Sequence, residues 1–233
     1  MKVSFYGRLL MGSVVLAGLT AATAFGVTIV PLNQSFELGN QGSGCPVNWT
    51  CSGSPSPGFT SYMPTSAQYN PATDGIGRVV PDGKSVASSP TPVEGSGGLF
   101  QGGLGTYAAN TTYTLTFYVG TPLTEPDGVT PTGPVQTLIF YFMDGAGAVQ
   151  EKAVNLTIPA AGKWLSETVS FTPSTDNANA IGQNIGIMFF DVSGGNDLKV
   201  NLDFVVPEPS SLLLGGLGIV GLGLLGRRRR TAK

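Results

Sequence analysis

The sequence predicts an all-β protein whose central part folds as a single β-sandwich. Its apolar residues recur at short, strand-like intervals, and no stretch shows helical periodicity of convincing length. Four Asp-Gly pairs, each a strong turn signal, interrupt the apolar runs. Many short strands separated by such turns are typical of a β-sandwich.

Ten segments of the central region are predicted as strands. In 112–119 the apolar residues alternate from Tyr113 to Val119, which predicts one buried and one outward face. In 137–143 both faces are apolar, which predicts a central strand covered on each side. The ten segments are 28–31, 35–38, 76–80, 98–101, 112–119, 137–143, 149–158, 164–171, 184–191 and 198–205.

The amino-terminal segment has the pattern of a secretory signal peptide. Basic residues precede an apolar stretch at 9–19, and Ala22 and Ala24 supply the small residues of a cleavage site. We therefore predict a signal peptide at 1–24, cleaved before Phe25. The alternative, an uncleaved anchor, is disfavoured because the apolar stretch is short.

The carboxyl-terminal segment predicts a membrane span followed by a basic stop. The uncharged run 210–226 reaches about 25 Å as a helix, near the lower limit for crossing a bilayer. Arg227, Arg228, Arg229 and Arg230 follow at once in the basic tail 227–233. Such a block holds its own end on the cytoplasmic side, so the domain before it lies outside. An ordinary C-terminal anchor would show the same two features.

A short motif stands immediately before this span. Pro207 and Pro209 flank Glu208, and the two prolines hold the backbone extended beside the membrane. The order of motif, span and basic tail resembles the PEP-CTERM sorting signal of Gram-negative bacteria. The resemblance implies recognition by an exosortase, which is a membrane-embedded cysteine protease or transpeptidase. It also implies cleavage near the motif and release to the cell surface or matrix. The sorting signal is placed at 207–233.

Setting both processing segments aside leaves 25–206, a length suited to one domain. The whole chain has 12 basic and 14 acidic residues, a net charge of −2. Within 25–206 five basic and thirteen acidic residues remain, since Glu208 is the one acid outside it, and the net charge is about −8. Such a domain lacks the clustered Lys and Arg that nucleic acid requires, which excludes nucleic acid as its partner.

The chain has two cysteines, Cys45 and Cys51, six positions apart. In a chain bound for an oxidising compartment, this spacing predicts a local disulfide. The pair cannot form a structural zinc site, because two ligands are too few and the sequence has no histidine.

The lack of histidine excludes Ser-His-Asp and Cys-His catalysis. A pair of carboxylates of the glycosidase kind stays open, since thirteen acids could place two across a cleft. Four of those acids belong to the Asp-Gly turns, where a structural role already accounts for the aspartate. We therefore expect no enzymatic activity.

A second resemblance spans the central domain and rests on spaced residues. These are the segment 33–37, Trp49, the segment 113–119, Trp164 and the segment 200–205. Their order is similar to the galactose-binding-like jelly roll that many carbohydrate-binding modules share. The resemblance implies a jelly-roll-like sandwich in which both tryptophans belong to the core.

The same resemblance implies a structural calcium ion held by Glu37 and Asp203. In the family, acids at these positions lie close together, and backbone carbonyls complete the oxygen shell. Calcium accepts six to eight oxygens in flexible geometry, so two carboxylates with carbonyls would suffice. The alternative is that both are surface acids at strand ends.

Glycan binding normally uses exposed aromatic faces beside a few polar groups. The candidate aromatics are Tyr62, Tyr69, Tyr118 and Tyr141, for which structural packing is the competing role. The sequence as a whole predicts an exported, non-enzymatic protein of the cell surface or the extracellular matrix of a biofilm, processed by exosortase. The alternative is a carbohydrate-binding module attaching to exopolysaccharide or other glycans. A carboxylate-dependent glycoside hydrolase is the third reading.

Overall fold

Two β-sheets pack against each other around an aromatic core, which confirms the predicted all-β sandwich. The computed structural model describes residues 25–38, 44–53, 59–89, 97–124, 137–192 and 201–204. The strands of these residues are β1 (Phe25–Thr28), β2 (Thr50–Gly53), β3 (Thr60–Tyr62), β4 (Val86–Ser88), β5 (Gly97–Gln101), β6 (Thr111–Thr121), β7 (Leu138–Asp144), β8 (Gln150–Asn155), β9 (Lys163–Phe171), β10 (Ile185–Asp191) and β11 (Asn201–Asp203). A one-turn helix α1 (Pro173–Asp176) and a 3-10 turn (Ala178–Ala180) lie between β9 and β10.

Sheet A follows the order β1-β6-β11-β4-β3, and β9 pairs with β6 as well. Because β9 matches β6 over nearly its full length, β1 and β11 share the opposite edge of β6. Strand β1 runs parallel to β6, whereas β9 and β11 run antiparallel to it. Sheet B follows the order β2-β5-β10-β7-β8 with antiparallel pairs throughout.

Strand β6 has the alternation that its sequence predicts. Its inward side chains, all buried, are Tyr113, Leu115, Phe117 and Val119. Strand β10 alternates in the same way, with Ile185, Ile187 and Phe189 buried in the core. The predicted segments 98–101, 137–143, 149–158 and 164–171 also coincide with strands.

The sequence misplaces several shorter elements. Segments 28–31, 35–38 and 76–80 form no strand apart from Thr28, which belongs to β1; the rest is irregular backbone with turns and bends. Their apolar residues anchor irregular backbone to the core: Phe36 is fully buried at a positive φ of 54°, which no strand allows. Strands β2, β3 and β4, of three or four residues each, were not predicted.

The turns and the disulfide follow the sequence. Gly75 and Gly83, in the pairs Asp74-Gly75 and Asp82-Gly83, have φ values of +97° and +63°. The disulfide Cys45–Cys51 is formed, with 5.6 Å between the Cα atoms. It closes a loop around Trp49, which is buried in the core as expected.

A second, smaller core lies on the outer face of sheet A. It consists of Tyr69, Val80, Val86 and Trp164 beneath the irregular segment 63–85. Trp164 is therefore buried as expected, although in this second core and not between the sheets.

The predicted signal peptide 1–24, the span 210–226 and the basic tail lie outside the described residues. Among the residues that are described, no helix has the length and apolar character needed to cross a membrane.

Phe117 lies at the centre of the core, so its truncation tests the sandwich directly. Its ring is 4.9 Å from Phe189, 5.8 Å from Phe140 and 6.0 Å from Phe204, measured between centroids. We expect Phe117→Ala to lower the free energy of unfolding by about 3–5 kcal/mol in chemical denaturation. Thr116→Ala, on the exposed face of the same strand, should cost no more than about 1 kcal/mol. Equal losses would contradict this placement of the core.

Candidate functional site

The carboxylates of Glu37 and Asp203 meet at one loop. Glu37 Oε1 accepts hydrogen bonds from the backbone N–H of Lys84 at 2.5 Å and of Ser85 at 2.7 Å. Asp203 Oδ2 accepts from the backbone N–H of Asp82 at 2.7 Å. The two acids thus lie near each other, although Glu37 lies in a turn and not on a first strand, as the sequence had suggested.

Asp203 is fully buried, and its other oxygen accepts from the Phe204 N–H at 2.9 Å. Burial raises the pKa of Asp203 to about 9; the hydrogen bonds from Asp82 and Phe204 lower the pKa, and the neighbouring carboxylates of Asp82 and Glu37 raise it. At neutral pH this carboxyl is therefore protonated unless a cation offsets the burial and the nearby negative charge.

Glu37 and Asp203 bring carboxylate oxygens, which hard cations such as calcium prefer, to one loop. Backbone N–H groups already donate to Glu37 Oε1 and to both carboxylate oxygens of Asp203. No group of three or more His, Cys, Asp or Glu side chains is arranged to hold a metal within the described part of the chain. A calcium ion held by Glu37 and Asp203 would therefore need backbone carbonyls to complete its shell.

A hydrogen-bonded aromatic cluster lies on the outer face of sheet A. Asn201 Nδ2 donates to the hydroxyl of Tyr62 at 2.7 Å and to that of Tyr69 at 2.8 Å. Tyr69 stacks on Trp164 with 4.5 Å between ring centroids. A Cβ on Gly120 would lie 2.5 Å from the Trp164 ring, so glycine is required for this close packing.

This cluster includes or contacts three of the predicted glycan-binding aromatics. Tyr69 is fully buried, and burial raises its pKa, so its ring cannot serve as an exposed platform. Tyr62 and Tyr118 are half-buried against the same second core. Tyr141 lies instead on the outer face of sheet B and is half-buried there.

The outer face of sheet B carries a continuous apolar strip. Cross-strand pairing places Met188 beside Tyr141 on one side and beside Phe100 on the other, and Phe190 beside Ile139. All five side chains are half-buried. The Tyr141 and Phe190 rings meet edge to face at 6.5 Å between centroids.

Three residues of this apolar strip, Phe100, Met188 and Phe190, were not among the candidate binding residues predicted from the sequence. The alternation in 184–191 already put Met188 and Phe190 opposite the core-facing residues, and this was the signal that could have identified them. Phe100 gave no comparable signal, because its place in the strip depends on pairing with β10.

Two cavities in the described part of the chain offer no acid pair. One of about 320 Å³ is lined by Met63 and Val80 and by the cations Arg78 and Lys84. Another of about 220 Å³ lies beside Phe204. Neither lining includes a carboxylate.

Glu151 is one of the acids that are buried outside the Glu37–Asp203 region. Burial and the charge of Asp144 raise the pKa of Glu151, which accepts a hydrogen bond from Asn177 Nδ2 at 2.7 Å. Asp144 itself caps a turn by accepting from the N–H of Ala148 at 2.6 Å and of Val149 at 2.9 Å. This pair of acids therefore already has a structural role.

The fold, the disulfide and the converging acids define a jelly-roll-like β-sandwich domain. The chain belongs to the HpiC1-like family: the family model described as HpiC1 cyclase matches residues 27–206. A second family model, the PEP-CTERM protein-sorting motif, matches residues 205–230, which confirms the sorting signal predicted at 207–233. No curated protein matches the sequence significantly.

Solved cyclases from Fischerella sp. TAU have a similar fold. The Stig cyclase Fisc, in complex with (3Z)-3-(1-methyl-2-pyrrolidinylidene)-3H-indole, aligns at a TM-score of 0.57 and 20% identity over 76% of this chain and 98% of that chain. A cyclase in complex with 4-(1H-indol-3-yl)butan-2-one aligns at a TM-score of 0.58 and 22% identity over 76% and 94%. The neighbours also include carbohydrate-binding modules, among them TmCBM61 with beta-1,4-galactotriose, at a TM-score of 0.45 and 15% identity over 74% and 92%. Identities this low establish the fold alone.

Asp203→Asn tests the buried carboxyl. Because the folded-state pKa of Asp203 lies above its unfolded value, its stabilising contribution is complete at low pH and is lost as pH rises toward 9. Without calcium, the wild-type free energy of unfolding should decrease by about a few kcal/mol between about pH 5 and about pH 8, and the melting temperature should fall with it. Asp203→Asn should flatten this fall, whereas Glu167→Gln, on β9, should keep it. An unchanged slope in Asp203→Asn would contradict the raised pKa.

The same proteins test the calcium ion. Calcium binding requires the ionised carboxylate, so millimolar calcium should raise the wild-type melting temperature more at about pH 8 than at about pH 5. Asp203→Asn and Glu37→Gln should lose this gain, and Glu167→Gln should retain it. No calcium-dependent rise in the wild type would exclude the ion.

Proposed function

We propose that this protein is an exported component of the cell surface or extracellular matrix, delivered by exosortase, whose folded domain acts without catalysis. The observation that carries the proposal is the arrangement of the two family matches. The domain match ends at residue 206 and the sorting match begins at residue 205. The chain therefore joins one domain directly to its sorting signal.

A non-enzymatic domain agrees with the chemistry of its residues. The sequence has no histidine, and both cysteines are joined in the disulfide. Asp203 could donate a proton at neutral pH, as a cyclase acting by acid catalysis would require. It is fully buried, however, and it lines neither of the two cavities formed by the residues that the structure describes. The word cyclase in the family's description and the indole ligands of the Fischerella enzymes describe those proteins, and we do not transfer either to this chain.

Glu208→Ala tests the delivery step. The change leaves both prolines and the apolar span intact but removes the charged centre of the motif, so we expect the domain to remain uncleaved in the membrane fraction. Ser211→Ala, just beyond the motif, should be processed normally. Cell fractionation and the mass of the released domain measure both outcomes. Normal processing of Glu208→Ala would overturn the sorting proposal.

Glycan binding is the second candidate, and the apolar strip of sheet B favours it. Tyr141 and Phe190 present half-buried rings on one sheet face, and aromatic faces with a few polar neighbours commonly bind sugar rings. In this reading the domain attaches the cell or its matrix to exopolysaccharide. A glycoside hydrolase has less support, because neither of the two cavities found within the described ranges is lined by a pair of carboxylates.

A glycan array on the mature domain tests this second candidate. If a glycan binds, Tyr141→Ala should weaken its binding by about tenfold, since an anchoring aromatic contributes roughly 1.4 kcal/mol or more. Tyr118→Ala, on the opposite sheet, is the matched control and should leave the affinity unchanged. Binding to no glycan, or equal losses in both variants, would exclude the sheet B strip as a glycan site.

A further inference from the structure

Three large aliphatic side chains are exposed together at one edge of the sandwich. Leu32, Leu38 and Val47 are 60%, 56% and 44% exposed, and we call them the apolar tip. Asn33, next to Leu32 in the sequence, links the three backbone segments through hydrogen bonds. Its Nδ2 donates to the Leu38 carbonyl at 3.2 Å and to the Val47 carbonyl at 2.9 Å, and its Oδ1 accepts from the Leu38 N–H at 3.0 Å. Single exposed aliphatics are ordinary, whereas a gathered group of them indicates a contact surface.

The backbone beneath the apolar tip is fixed to the core. The buried side chain of Gln101 accepts from the Leu32 N–H at 2.7 Å and donates to the Leu32 carbonyl at 3.0 Å. It also donates to the Asn48 carbonyl at 2.8 Å. These hydrogen bonds hold the loops that carry Leu32 and Val47 against strand β5. The backbone of the apolar tip therefore has a fixed position on the surface.

The chain leaves the domain beside the apolar tip. Phe204 is the last described residue of the domain, and its ring is 5.8 Å from Phe36 and 5.8 Å from Trp49, between centroids. Trp49 Nε1 in turn donates to the Asn33 carbonyl at 3.4 Å. The Trp49 ring therefore lies between Phe204, at the end of the described domain, and Asn33, which organises the apolar tip.

The connection from this point to the membrane is short. The sequence-predicted span begins at Ser210, six residues after Phe204, and six extended residues reach about 20 Å at most. Since a folded domain of this length is wider than that reach, the side of the domain from which the chain leaves after Phe204 faces the bilayer.

We propose that the apolar tip rests on the lipid surface while the C-terminal segment holds the domain at the membrane. This inference rests on the proposed sorting function. The three side chains carry no charge, and the neighbouring Glu37 carboxylate is bonded to the backbone of Lys84 and Ser85. The contact holds the domain in one orientation, with the cleavage motif between it and the bilayer. Three partly exposed side chains bind lipid more weakly than one acyl chain, which alone gives marginal binding, so cleavage releases the domain.

The two tryptophans make this contact measurable. Trp49 lies beneath the apolar tip, and Trp164 lies on the outer face of sheet A. The full chain is placed in phosphatidylcholine vesicles with and without brominated acyl chains, which quench tryptophan at close range. Trp164→Phe leaves Trp49 as the reporter, and Trp49→Phe leaves Trp164. We expect several-fold stronger quenching of Trp49 than of Trp164.

Matched variants separate the apolar tip from the rest of the surface. The triple variant Leu32→Ser, Leu38→Ser, Val47→Ser should abolish the difference between the two tryptophans. Leu123→Ser with Val192→Ser should preserve it, because these side chains, 43% and 41% exposed, lie beyond the far ends of β6 and β10. Near-ultraviolet circular dichroism verifies that each variant is folded, and slower amide exchange at Val47 and Asn48 in the wild type than in the triple variant provides a second readout.

The outcomes distinguish this inference from the sorting function. Flotation of the full chain with the vesicles reports on the C-terminal segment and does not depend on the apolar tip. If the chain floats but both tryptophans are quenched equally, the lipid contact is overturned while the sorting function stands. If the triple variant keeps the quenching of Trp49 but is cleaved more slowly by exosortase, the apolar tip contacts the enzyme and not lipid, which also overturns the inference.

Discussion

The burial of Leu202 and Phe204 between the sheets is the constraint on which both polar clusters depend. Successive residues of a strand point to opposite faces, so anchoring these two side chains in the core turns Asn201 and Asp203 to the outer face of sheet A. Asn201 then reaches the tyrosine hydroxyls, and Asp203 reaches the loop that Glu37 also holds. A shift of one residue in β11 would bury both polar groups in an apolar core and dismantle both clusters.

The outer faces of the two sheets differ in how much of them other parts of the chain cover. The irregular segment 63–85 covers part of sheet A, where Tyr69 packs on Trp164 of β9 and neither ring is left exposed. Sheet B keeps half-buried aromatic side chains along β10 and β7. Family membership alone does not convey this asymmetry, because it results from where one long connection packs.

The fold was predictable where its pattern is local. Strand β6 was found because its apolar residues alternate without interruption from Tyr113 to Val119, and a run of that length has few other interpretations. Segment 35–38 was wrongly assigned because Phe36 looks like a strand residue in sequence but anchors a turn to the core. Strands β2, β3 and β4 were missed because three or four residues of mixed polarity become strands through pairing with distant partners.

The sequence by itself determined the all-β class, the disulfide and the sorting signal, and it excluded histidine chemistry. Each depends on composition or on residues close together in the chain, which act through local geometry. Only the tertiary structure decided which tyrosines are buried, that Glu37 and Asp203 share one loop, and that the apolar tip lies beside the end of the domain. These facts join residues more than one hundred positions apart, and their contacts come from strand pairing and core packing, which no local pattern encodes.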